Sequence, residues 1–251
     1  LFTTFRDHTR GRFIVNRDHS LIRAISRNPS FDFGSEPEAG FKYSNFRQEG
    51  FSIKFTVNEQ PFEIPVIGRH NMENATAAVA ATSSAGLSIE EASRALKSYV
   101  GIFRRTQLVG EKDGVFVIDD FAHNPAEVVA AIRTCQLIGK RVFAWFQPHG
   151  FGPLKFMHQE LSEKVAETLR NEDTWLMSQV YYAGGTVNKE ITSEIVIDAV
   201  KSEGKKSLLV NDRNELADNL KKLLQPGDVI LLMGARDPSL ADFAKSVYNR
   251  L

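Results

Sequence analysis

Apolar and polar residues follow two different rhythms along this chain. In the first part, Phe51, Ile53, Phe55 and Val57 alternate with Ser52, Lys54 and Thr56, the period of two that a half-buried strand requires. Further strand-like stretches lie at 30–33, 41–46 and 61–66, and Asn58-Glu59-Gln60 reads as a hairpin turn. An apolar run at 12–16 and a short helix over 18–26, with Asp18 as its N-cap, precede them. After Gly68 the pattern turns helical. Residues 75–85 are dense in alanine, which predicts a helix lying close against a neighbour, and Ser88 with Glu91 three residues on has capping-box spacing.

From Thr106 the chain reads as strand and helix in alternation. Strands are predicted at 115–119, 142–146, 174–178, 207–210 and 229–233, and helices at 125–138, 153–169, 191–202, 213–224 and 239–248. This order predicts an α/β fold: a mostly parallel sheet with helices on both faces, whose ligands sit at the carboxyl ends of the strands. The change of rhythm places a boundary near Arg105, with one domain over 1–104 and another over 105–251.

Composition narrows the function classes. With 42% hydrophobic and 25% charged residues the chain is globular in type. Thirty-one basic residues balance 31 acidic ones, so no long-range field gathers polyanions and no nucleic-acid partner is expected. The single cysteine, Cys135, excludes an internal disulfide framework and fits a reducing, cytoplasmic setting. No 18-residue apolar run marks a membrane partner. The first residue, Leu1, is not Met, which reads as a piece of a longer protein.

Several polar clusters stand where that sheet would present ligands. Gly68-Arg69-His70-Asn71-Met72-Glu73-Asn74 opens the alanine-rich helix, and Asn71 and Asn74, three apart, share one helical face. Their amides can give and take the paired hydrogen bonds that an adenine edge presents, although His70 and Asn71 can equally be helix caps. Asp119-Asp120-Phe121-Ala122-His123-Asn124-Pro125 runs from a strand end into a proline-started helix. Asp120 and His123 there suit ribose, phosphate or proton handling, or else an N-cap and a solvated histidine. Phe146-Gln147-Pro148-His149-Gly150-Phe151-Gly152-Pro153 again follows a strand, as do the loops at 181–186 and 234–237. Arg104-Arg105 is either a solvated pair or a hinge cation for a nucleotide phosphate. No G-x-x-x-x-G-K-[ST] loop, G-x-G-x-x-G after a strand, G-x-S-x-G elbow or Cys/His metal spacing occurs.

Taken in order, His70-Asn71-x-x-Asn74, Gly101-x-x-Arg104-Arg105, Asp119 to Pro125, Phe146-Gln147-Pro148-His149 and Met233-Gly234-Ala235 resemble the Mur ligases. The nearest branches are the one adding L-alanine to UDP-N-acetylmuramate and its murein-peptide relative. The resemblance covers nearly the whole chain and is weakest before Gly68. It implies that 1–104 is the C-terminal part of a central ATPase domain and 105–251 a Rossmann-like acceptor domain. It further implies ATP as cofactor, with His70, Asn71, Asn74, Arg105 and Asp120 on the nucleotide and His123 in the chemistry. His149, Gly150 and Tyr182 fall on the acceptor side. The implied partners are a UDP-N-acetylmuramate-type nucleotide sugar and an amino acid or peptide. In the implied reaction the sugar's carboxylate is activated as an acyl phosphate, which the acceptor amine attacks.

Two departures bound the resemblance. The family's phosphate loop and Mg2+ ligands are expected upstream of Leu1, so the fragment alone is expected to be inactive. The alanine-adding branch usually carries arginines after the Pro-His step, where this chain has Gly150 and Pro153, which leaves the acceptor open. Two other readings remain: a non-catalytic binding module of the same fold, and a ligase of the folylpolyglutamate-synthase type.

Overall fold

A computed structural model describes residues 1–182, 184 and 191–251. The chain forms two compact units, Leu1–Gly101 and Ile102–Leu251.

The first unit contains α1 (Phe2–His8), α2 (Ser20–Arg23), β1 (Phe33–Gly34), β2 (Phe41–Glu49), β3 (Ser52–Val57), β4 (Gln60–Ile64), α3 (Arg69–Ser83) and α4 (Ile89–Leu96). Its sheet has the order β1-β2-β3-β4, with β1 parallel to β2 and the other pairs antiparallel. The alternation in β3 buries Ile53, Phe55 and Val57 against Met72, Ala75 and Val79 of α3. Asn58 and Glu59 form a two-residue hairpin loop with φ of 47° and 70°, the positive pair that matches the twist of the strands it joins. The capping box at Ser88 and Glu91 starts α4 as expected.

The apolar 12–16 run makes one bridge, from Asn16 to Phe33. Two expectations fail in this unit. Residues 29–31 form a turn of 3-10 helix, so that of the strand expected over 30–33 only Phe33 lies in β1. The helix over 18–26 shrinks to four residues with His19 at its N-cap, because Asp18 is drawn elsewhere. Asp18 Oδ1 accepts from Ser35 N–H at 2.9 Å and Ser35 Oγ at 3.0 Å, and Oδ2 accepts from Tyr43 Oη.

In the second unit β5 (Gln107–Lys112) and β6 (Val115–Asp120) form a hairpin. They lead into α5 (Pro125–Gln136), β7 (Arg141–Gln147), α6 (Phe151–Thr168), β8 (Thr174–Ser178) and α7 (Glu194–Ser202). Then follow β9 (Lys206–Val210), α8 (Leu216–Lys221), β10 (Asp228–Gly234) and α9 (Leu240–Arg250). The strand order is β5-β6-β10-β7-β8-β9, and every pair is parallel except β5 with β6. All five predicted strands are present. The helix expected from 191 starts at Glu194, and the one expected over 213–224 divides into a 3-10 turn and α8. The edge strand β5 was not expected.

The connections β6 to β7, β7 to β8 and β8 to β9 all step one way across the sheet. Right-handed crossovers therefore put α5, α6 and α7 side by side on one face. The return to β10 reverses direction, so α8 and α9 cover the other face over Val117, Trp145, Ile230 and Leu232. The chain thus leaves β10 toward the opposite face from its neighbours β6 and β7. Such a reversal is where sheets of this type hold ligands, at the carboxyl ends of the strands beside β10.

Candidate functional site

In the first unit the polar cluster lies at the start of α3. Gly68 occupies the N-cap with φ of 95°, so neither His70 nor Asn71 caps the helix. Asn71 is half-buried and donates one amide N–H to the Ile67 carbonyl at 2.8 Å, which fixes the plane of its amide. The carboxamide oxygen and second N–H define the fork it can offer a ligand. Asn74, three residues on, is exposed, and His70 is half-buried. Beside them Arg69 lies 3.7 Å from Glu73 and over the rings of Tyr43 and Phe46, each 6.0 Å from its guanidinium carbon. Burial pushes the Glu73 carboxyl up, Arg69 opposes this, and the charge of Asp18 adds to it. Burial also raises the Tyr43 hydroxyl, and its hydrogen bond to Asp18 raises it further.

In the second unit the carboxyl ends of β6, β7, β8 and β10 carry the remaining candidates. Arg104 and Arg105 separate sharply here. Arg104 is buried with φ of 56°; its Nε donates to Asp119 Oδ2 at 2.9 Å and its Nη2 to the Gly234 carbonyl at 2.9 Å. Burial raises the Asp119 carboxyl while the Arg104 hydrogen bonds oppose it. Arg105 is half exposed, 4.0 Å from Glu127 and over the Phe121 ring.

Asp120 is buried, and both its oxygens are engaged: Oδ2 by Thr106 N–H at 2.6 Å and Thr106 Oγ1 at 3.1 Å, Oδ1 by Ala122 N–H at 2.7 Å. It orders the turn after β6. Asn124 then caps α5, its oxygen accepting from Glu127 N–H at 3.0 Å, with Pro125 in the first turn. His123 Nδ1 lies 3.0 Å from the Phe121 carbonyl and 3.0 Å from Glu127 Oε2. Those acceptors place a proton on Nδ1 and leave Nε2 for a ligand. The ring centroid of His149 is 5.7 Å from that of His123. His149 Nδ1 is buried without a hydrogen-bond partner among the described residues. Burial lowers the His149 pKa below the usual imidazole value, and the charges of His123 and Arg236 lower it further, which keeps the ring neutral.

His149, Gly150 and Tyr182 come together, as the carboxyl-edge rule anticipates. Gly150 N–H donates to the Tyr181 carbonyl at 2.9 Å, Tyr181 N–H to the Pro148 carbonyl at 2.8 Å, and the Phe151 and Tyr182 rings are 5.7 Å apart. These residues line a cavity of about 360 Å³ whose far wall is Arg236. Ala183, Gly185 and Thr186 of the expected loop lie outside the described residues.

Glu127 escaped the sequence reading, and Asp237 was read only as part of the 234–237 loop. Glu127 ties His123 to α5 and stands four residues after it, a helical spacing that could have exposed it. Asp237 holds the loop after β10: it accepts from Gln147 Nε2 at 2.8 Å, Arg213 Nη1 at 2.6 Å and Ser239 Oγ at 2.6 Å. Burial works to raise that carboxyl, but the hydrogen bonds from Ser239, Gln147 and Arg213 outweigh it and hold its pKa at about 2. Cys135 is fully buried, and burial raises its thiol well above the ordinary range, so it is an inert core residue. No group of three or more His, Cys, Asp or Glu side chains that could hold a metal ion occurs among the described residues. No helix among them is long and apolar enough to cross a membrane.

A doubly wound sheet with polar loops gathered at one edge defines a ligand-binding α/β unit. The family model described as Mur ligase, glutamate ligase domain, matches residues 104–236, and that of the Mur ligase middle domain matches 1–82. The chain belongs to the Mur ligase family. UDP-N-acetylmuramate–L-alanine ligase of Pelotomaculum thermopropionicum is 38% identical over 177 residues, covering 70% of this chain and 38% of that protein. The enzyme of the same name from Streptomyces avermitilis is 31% identical over 264 aligned positions, covering all of this chain and 56% of that protein. The crystal structure of UDP-N-acetylmuramate–alanine ligase from Thermotoga maritima superposes with a TM-score of 0.72 at 21% identity, over 95% of this chain and 51% of the other. The chain therefore spans about half the length of its relatives, or less.

Proposed function

We propose that this chain is the adenine-side and acceptor-side part of an ATP-dependent ligase. That ligase joins the carboxylate of a UDP-N-acetylmuramate-type nucleotide sugar to the amine of an amino acid or peptide. The observation that carries the reading is the pairing of His123 and His149 at the carboxyl edge. One imidazole has Nδ1 tied to Phe121 and Glu127, and the other is kept neutral beside a cavity. An amide-forming step needs an uncharged amine, and a neutral imidazole beside the acceptor can take up the proton that the ammonium form loses.

In the first unit the residues at the start of α3 fit the adenine side of an ATP site. Asn71, with its amide plane fixed, and Asn74 present the donor and acceptor groups that suit adenine, with His70 beside them in the first turn of α3. Each such neutral bond contributes only about 1 kcal/mol, so these residues select the base more than they hold it. Arg105 is the exposed cation suited to a phosphate, and Asp120 acts by ordering the turn that carries His123. When bound, ATP supplies the phosphoryl group that activates the carboxylate. No phosphate loop occurs in these 251 residues, and the donor sets described above offer no Mg2+ cage. Positioning and exclusion of water are what this chain contributes.

The test is phosphate release by the longer protein with UDP-N-acetylmuramate, ATP and a panel of amino acids. Turnover with any acceptor that needs His123 supports the reading. Absence of turnover with every acceptor leaves a binding module of the same fold.

A further inference from the structure

The cavity beside His149 holds a cation with no carboxylate beside it among the described lining residues. Arg236 sits in the loop after β10 with φ of 64°, a left-handed conformation that a non-glycine residue adopts at a cost of about 1 kcal/mol or more. Its guanidinium has no carboxylate or hydrogen-bond partner among the described residues, unlike Arg104 and Arg213 nearby in the fold. The remaining walls are aromatic and glycine: Phe151, Tyr181 and Tyr182, with Gly152 and Gly184. A Cβ built on either of those two glycines meets nothing within 4 Å, so the space in front of them is open. Among the described lining residues there is no Asp, Glu or Lys.

We propose that Arg236 receives the α-carboxylate of the acceptor and that the aromatic walls take a neutral, apolar side chain larger than a methyl group. Leucine and phenylalanine represent the class. This rests on the reading of the cavity as the acceptor site. A planar guanidinium takes one carboxylate in a two-bond fork. With Arg236 the one permanent cation among the described lining residues, an acidic side chain would enter with its second charge unpaired. With no carboxylate among the described lining residues, a basic side chain would fare the same way. Two rings 5.7 Å apart and about 360 Å³ of space leave an alanine methyl with few contacts, whereas a leucyl or benzyl group fills them.

The test is calorimetric titration of this 251-residue chain with L-alanine, L-leucine, L-phenylalanine, L-glutamate and L-lysine, and with the carboxylate-free amine isopentylamine. Leucine and phenylalanine are expected to bind at least about tenfold tighter than the other amino acids and the amine. Arg236→Gly should weaken leucine by about tenfold or more while the melting temperature holds or rises, because glycine suits φ of 64°. Arg236→Lys should recover part of the affinity. The proposal is overturned if alanine binds as tightly as leucine, if the amine matches the amino acid, if Arg236→Gly binds unchanged, or if none of these compounds binds. Preference for alanine would remove this acceptor class and leave the ligase reading standing. Tight leucine binding with no turnover in the longer protein would do the reverse.

Discussion

His123 Nδ1 and Glu127 Oε2 stand 3.0 Å apart across one turn, and the same glutamate oxygen accepts the His123 backbone N–H at 3.1 Å. Glu127 thus fixes both the ring and the backbone of His123 at the start of α5. On the proposed function it is a positioning residue, through His123 and not on substrate. In the longer protein Glu127→Ala is expected to lower kcat by about tenfold with little change in KM for ATP, since loss of orientation costs more at the reacting centre than in binding. Glu127→Gln keeps an acceptor oxygen and should retain more activity. An equal loss in both variants, with a matching fall in melting temperature, would mean that Glu127 only stabilises the helix.

Adjacent arginines in this chain have opposite stakes. Arg104 and Asp119 form a buried pair whose side chains are 8% and 4% exposed, and Arg104 also holds the Gly234 carbonyl. Removing one partner strands a charge, so Arg104→Met should cost about 3–5 kcal/mol, read by urea denaturation of the second unit. Arg105 is half exposed, and Arg105→Met should change stability by no more than about 0.5 kcal/mol. On the proposed function its effect belongs in the KM for ATP, which should rise in Arg105→Met. An equal stability loss for the two variants would contradict the structure.

That contrast shows where sequence reading stops. The alternation after Thr106 located the carboxyl-edge loops, because period and order alone determine which loops share an edge of a parallel sheet. The pair Arg104-Arg105 gave no sign of which member is buried, since that depends on a φ of 56° and on Asp119 and Gly234 far along the chain. Asp18 looked like a helix cap from its neighbours, yet its partners are Ser35 and Tyr43, 17 and 25 residues away. β5 lacks clean alternation and carries Gly110 at a register shift, so pairing with β6 defines it more than its own pattern does. Arg236 was visible only as part of a loop. Its standing as an unpaired cation in a cavity comes from tertiary structure.

Two glycines offer a test of packing that needs no enzyme assay. A Cβ on Gly40 would collide with the Ser30 backbone carbonyl, so Gly40→Ala should destabilise the first unit by about 1–3 kcal/mol or more. Gly152 lies in the first turn of α6 with open space where its Cβ would go. Gly152→Ala should stabilise the second unit by about 0.4–1 kcal/mol by restricting the unfolded chain. The added methyl also enters the cavity beside Phe151, so the more stable protein should bind large amino acids less well. Melting curves for both variants, with leucine titration of the second, check this.

Asp237 links the loop after β10 to pH. Its carboxyl is held at about 2 in the folded chain, against an ordinary value of 3.8. A folded pKa below the unfolded one means that the ionised form is the one the fold favours. The stabilisation is therefore complete above about pH 4, declines as the acid is added, and is gone once pH falls through about 2. The difference corresponds to roughly 2 kcal/mol at neutral pH. Asp237→Asn keeps an acceptor for Ser239 but loses the charge facing Arg213, so its deficit relative to the unaltered chain should be largest near pH 7 and shrink across pH 4 to 2. Urea titrations at several pH values in that window measure the difference directly. A deficit that stays constant through the window would show that hydrogen-bond geometry, and not the ionised carboxylate, secures the loop that carries Arg236.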